Sequence, residues 1–277
     1  MFEKNYYCLV AGLREYTLES EVKGFDAKEI ISEVMEELSQ RDCEAVREMY
    51  GYYDCENIIA LRAGRSAFNH LGNFTREELE QELVSPQRLP ERLAKVVRAF
   101  ADQEGEDAEG VDFTRTFENV LYAAYYEECA QSKSRFIRAW SEFDRTLRNV
   151  SAAVVARATS RPIESVVVGG GDVVEQLQRS SAADFGLRGE LAYVDAVIAA
   201  VNDEPNMVEK EHKLDMVRWE QAGELAGFDY FNINAILSYL AKINIVARWS
   251  LLDPKRGREM FERIMAELDG KELINKQ

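Results

Sequence analysis

Apolar side chains recur at helical spacing along nearly the whole chain. Ile30, Ile31, Val34, Met35 and Leu38 form one stripe, and Leu93, Val96, Val97 and Phe100 form a second. Phe113, Phe117, Val120, Leu121 and Ala124 make a third, followed by a longer series through Phe136, Trp140, Phe143, Leu147, Val150 and Val154. Further stripes run through Leu191, Val194, Ile198 and Val201, then Ile233, Ile236, Leu237 and Leu240, and finally Met260, Phe261, Ile264, Met265 and Leu268. A period near 3.6 sustained over so many windows predicts an all-α fold, an elongated helical bundle. Only residues 7–10 and 166–168 read as extended, at most a short strand pair.

Prolines fall between the stripes, at Pro86, Pro90, Pro162, Pro205 and Pro254, where they act as helix punctuation. In residues 101–110, Asp, Glu and Gly crowd together without periodicity, which predicts a solvated acidic loop. It sets residues 1–100, an N-terminal helical portion, apart from residues 111–277, unless the two form one continuous domain.

Two segments share the pattern aromatic-Asp-x-x-Asn-Ile. One contains Tyr53, Asp54, Asn57 and Ile58, and the other Phe228, Asp229, Asn232 and Ile233. As helix starts, Asp54 and Asp229 would be N-caps whose carboxylates accept backbone N–H groups at the positive end of the dipole. The aromatic residue before each and the Ile inside would form a hydrophobic staple. Ordinary capping also produces such similarity by coincidence. A third pair, Phe143 and Asp144, lies 90 residues after Asp54 and 85 before Asp229, which suggests up to three related helical units. There, however, Arg148 takes the staple position and Phe143 sits inside an unbroken stripe.

The charge balance sharpens the function classes. With 34 Lys and Arg against 50 Asp and Glu, the formal charge of -16 disfavours nucleic-acid phosphates and anionic lipid headgroups. The four cysteines, Cys8, Cys43, Cys55 and Cys129, form no CxxC pair and read as reduced thiols of a cytoplasmic protein. His70 and His212 stand outside any metal-ligand spacing, so no metal or other cofactor is expected. Gly169, Gly170 and Gly171 follow an apolar run, but the spacing is not that of a dinucleotide loop and Asp172 stands where an anion would approach. A loop capped by Asp172 is the better account. No catalytic constellation emerges, and the chain reads as a protein that holds other proteins. Arg248, Lys255, Arg256 and Arg258 are a local basic patch in an acidic chain, a candidate for partner docking.

Longer motifs carry a resemblance. Tyr6-Tyr7-x-Leu9-Val10-Ala11-x-Leu13, Tyr53-Asp54-x-x-Asn57, Phe136-Ile137-Arg138-x-Trp140-x-Glu142-Phe143, Asp184-Phe185-Gly186-Leu187 and Arg248-Trp249-Ser250-Leu251-Leu252-Asp253 resemble an uncharacterised bacterial family encoded in V-type ATPase operons. That family is similar, more distantly, to the C subunit of A-type and V-type rotary ATPases, known as the d subunit in eukaryotic enzymes. The resemblance implies an all-helical, funnel-like body of three units, a non-catalytic central-stalk part that couples the rotary shaft to the membrane ring. Shaft and ring proteins would be its partners, and it would sit in the cytoplasm, peripheral to the membrane. An operon-associated adaptor or assembly scaffold is the alternative. Tyr239, Leu240 and Arg248 match the last helix of the C subunit, whereas the acidic residue usual there has no counterpart near Asn244.

Overall fold

A computed structural model describes residues 4–17, 25–102, 106–203, 206–228 and 230–251. The described residues form helices and loops with no strand. In chain order the helices are α1 (Tyr7–Gly12), α2 (Ala27–Glu37), α3 (Gln40–Arg62), α4 (Arg76–Val84), α5 (Glu91–Ala101) and α6 (Phe117–Ala130). They continue as α7 (Arg135–Ala158), α8 (Asp172–Arg179), α9 (Val194–Asp203), α10 (Met207–Ala226) and α11 (Ile233–Leu251), with short 3-10 turns at Glu106–Ala108 and Ile163–Ser165. The all-α expectation is met, and both extended candidates are corrected. Residues 7–10 lie in α1, and residues 166–168 follow a 3-10 turn without pairing to a strand.

Helix starts follow local capping chemistry. Asp26 accepts the backbone N–H groups of Lys28 and Glu29, while Ser39, Thr116, Ser134 and Asn206 cap α3, α6, α7 and α10 through their side-chain oxygens. Thr75 and Glu78 form a reciprocal capping box at α4. At α8 the N-cap is Gly171, at φ +100°, and Asp172 belongs to the first turn, so the expected Asp172 cap is corrected. A residue with a Cβ is strained in that left-handed backbone.

One large core joins α3, α5, α6, the start of α7 and α11 through Val46, Ile58, Leu93, Leu121, Phe136 and Leu237. A second gathers the later part of α7 with α8, α9 and α10 around Leu147, Val150, Leu177, Phe185 and Val197. Helix α7 is the shared spine, and burying each such side chain is worth about 1.5–3 kcal/mol. The first core draws on residues before residue 101 and after residue 110, so both portions of the chain contribute to one packing unit. A smaller cluster packs Ala27 of α2 against Ile243 and Ala247 of α11, bringing the last described helix back to the first part of the chain.

Candidate interaction surface

Asp54 and Asn57 do not begin a helix. Both lie in the interior of α3 and are buried, at 2% and 1% exposure. The capping role and its staple are therefore corrected. One Asp54 oxygen accepts the backbone N–H groups of Asn73 at 2.7 Å and Phe74 at 3.2 Å, and the other accepts the Asn73 amide at 2.6 Å. Burial pushes the Asp54 carboxyl up to about 6, against the pull of these hydrogen bonds. Asn57 donates to the Asn69 carbonyl at 2.9 Å and accepts the Asn69 N–H at 2.6 Å. Together the two side chains lash the α3–α4 loop onto its helix. Ile58 is fully buried beside them in the core.

The same clamp recurs on α7. Asn149 donates to the Val168 carbonyl at 2.9 Å and accepts the Val168 N–H at 2.8 Å, holding the chain just before Gly169. Arg115 donates to the Val167 carbonyl at 3.1 Å, and Asn119 to that of Ser165 at 3.1 Å. The glycine segment is thus approached through a backbone anchored on α6 and α7 as well as on Arg115. The structural counterpart of Asn57 is Asn149, a residue that the spacing through Asp144 passes over.

Asp144 belongs instead to a partly buried ionic network centred on Asp215. It accepts the Tyr126 hydroxyl at 2.7 Å and lies 3.5 Å from Arg218 of α10. Arg218 also donates to Asp215 at 2.7 Å, and Asp215, 1% exposed, receives Arg248 at 3.0 Å and the Trp249 indole N–H at 2.9 Å. Burial pulls the Arg218 pKa down, and the Asp144 and Asp215 carboxylates more than offset this, holding it above its ordinary value. Arg248 further pairs with Glu211. Its charge is therefore engaged between α10 and α11. The other members of the expected basic patch, Lys255, Arg256 and Arg258, lie outside the described residues, as do Asp229 and the stripe from Met260 to Leu268.

Helix α11 begins at Ile233, with Asn232 just before it accepting the N–H of Asn234 at 2.9 Å. Phe228 does not pack back as a staple. It is 90% exposed, and with Tyr230 at 63%, Tyr7 at 58% and Phe231 at 41% it forms an aromatic corner facing solvent. Gly227, at φ +59°, ends α10 and turns the chain into this corner. The support beneath it is firm. The Tyr6 N–H donates to the Phe231 carbonyl, and the buried Tyr6 hydroxyl bonds Asp42 and accepts the Ser39 N–H at 3.1 Å. Tyr7 and Phe231 rings meet at 4.8 Å between centroids. Rings held outward on an anchored backbone suit contact with another molecule, because aromatic residues carry large contact area at low entropic cost.

Among the described residues, no three His, Cys, Asp or Glu side chains group so as to hold a metal ion. All four cysteines are free, Cys8 exposed and the other three buried. No helix of the described residues is long and apolar enough to cross a membrane.

The fold and its surface define an all-helical protein with buried polar clamps and an outward aromatic corner. Residues 3–271 match the family described as "Protein of unknown function (DUF2764)", and the chain belongs to that family. No curated protein and no solved structure matches it.

Proposed function

We propose that the protein is a non-catalytic central-stalk component of a V-type ATPase, similar to the C subunit, that couples the rotary shaft to the membrane ring. The observation that carries the reading as an interaction protein is the solvent-facing aromatic corner of Tyr7, Phe228, Tyr230 and Phe231, in which Phe231 is tied to Tyr6 and packs on Tyr7. The resemblance in sequence motifs supplies the partners. The matching Asn57 and Asn149 clamps support the related helical units that this resemblance implies. A coupling part transmits torque through packed helices and needs surfaces rather than reactive groups.

The test is co-purification with the ATPase of the source organism, using the full-length chain and a Phe228→Ser/Tyr230→Ser variant. The wild type is expected at fixed stoichiometry with the shaft and ring proteins, and the variant is expected to be lost from the complex while keeping its helical circular dichroism. Substoichiometric recovery would point instead to the assembly scaffold. Complexes lacking the chain altogether, together with no binding to shaft or ring proteins, would end the proposal.

A further inference from the structure

Helix α1 also borders a groove of about 470 Å³, formed with α2 and with Tyr239 of α11. Leu9, Leu13, Ile30 and Val34 give it an apolar floor. Glu33 and Glu37 line the same groove, one helical turn apart and exposed. Neither carboxylate pairs with a cation among the described residues, and the Arg14 guanidinium of the groove lies over the Tyr16 ring at 5.2 Å.

This arrangement is electrostatically unfavourable for α2 by itself. Like charges at i and i+4 repel, and Glu37 stands with Glu36 in a last turn that carries no basic residue, where the helix dipole is negative. The end of α2 is therefore a place where an incoming cation gains twice, from two carboxylates and from the dipole. The overall charge of -16 adds long-range attraction for the same kind of partner.

We propose that this groove is the docking site of a basic amphipathic helix from a partner protein. Its apolar face lies on Leu9, Leu13, Ile30 and Val34, and Lys or Arg side chains spaced i and i+4 meet Glu33 and Glu37. The proposal stands apart from the ATPase reading, since it rests on the groove and its charges alone.

Cys8 lines the groove and is the one exposed cysteine of the four, so it serves as a reporter. The full-length protein is labelled there with an environment-sensitive maleimide dye. It is then titrated with a synthetic Leu/Lys amphipathic helix about 27 Å long, roughly 18 residues, or with its Leu/Glu counterpart. The basic peptide is expected to change the dye emission saturably, and the acidic one is not. Glu33→Lys/Glu37→Lys should weaken binding roughly tenfold or more, whereas Glu77→Lys/Glu80→Lys on α4, an equal change of net charge, should shift it by less than about threefold. Equal weakening by both variants would assign the binding to general acidity and overturn the proposal. So would silence of the dye, or a dye signal that depends on the protein's own concentration, which would give the groove to a second copy.

Discussion

Asn149 offers the sharpest test of how the fold is held, because its role can be removed without touching the apolar core. Its side chain is 1% exposed, and its partner Val168 is fully buried. Truncation in Asn149→Ala leaves the Val168 N–H and C=O, bound at 2.8 and 2.9 Å, without partners in a place that water does not reach. Each orphaned group costs about 1–3 kcal/mol, so after partial relaxation the variant should lose roughly 2–5 kcal/mol. Asn57→Ala breaks the same pair of bonds, but Asn69 is only half-buried and water can take over, so its cost should be about 1–2 kcal/mol. Urea unfolding followed by circular dichroism reads both, provided the slope m is unchanged. Hydrogen exchange at the Val168 amide adds a local readout, with faster exchange expected in Asn149→Ala. A loss below about 1 kcal/mol for Asn149→Ala, or one smaller than for Asn57→Ala, would mean that the Val168 groups find other partners and that the clamp does not hold this segment.

Burial raises the folded-state pKa of Asp54 to about 6, so its stabilising contribution is complete below the unfolded carboxyl's value of about 4 and is lost as pH rises through about 6. The cost of Asp54→Ala in urea should therefore be larger at pH 5 than at pH 8, and an equal or reversed cost would contradict this. Asp215→Ala strips the Trp249 indole and both Arg218 and Arg248 of their shared acceptor, while Asp144 and Glu211 still pair the two arginines, and should cost about 1–3 kcal/mol, measured by thermal melting. Gly72→Ala places a methyl 2.6 Å from an Asp54 oxygen, and a loss of about 1–3 kcal/mol is expected in the same assay.

The sequence makes some of this architecture readable and conceals the rest for a definable reason. Helices α2, α5, α7 and α11 carry clean apolar stripes, and each is present where its stripe runs. Helix α3 and helix α10 are different. Asp54 and Asn57 in α3, and Asp215 in α10, occupy buried positions where a stripe would need apolar residues, so the pattern breaks at the most enclosed places. A polar pair spaced three apart downstream of Ser39 and Asp42 is the trace that remains, and by itself it has the form of a new helix start. Tyr7 and Val10 favour extended structure by themselves, and the anchoring of Tyr6 to Phe231 and Ser39 places them in α1 instead. The aromatic motif at Phe228 is visible as a motif. Its outward direction depends on Gly227 ending α10, which no periodicity records.

The Tyr6 bond to Phe231 also bears on how the molecule comes into being. Tyr239 repeats the connection, donating its hydroxyl to the Arg14 carbonyl at 3.1 Å across 225 positions. A chain emerging from the ribosome presents its first helix long before the residues that fasten it exist. Helix α1 must wait, with Tyr6 lacking the Phe231 carbonyl, until nearly all of the described chain has been made. The aromatic corner is consequently completed late, and a truncated or stalled product would lack a surface through which the finished protein is proposed to meet its partners.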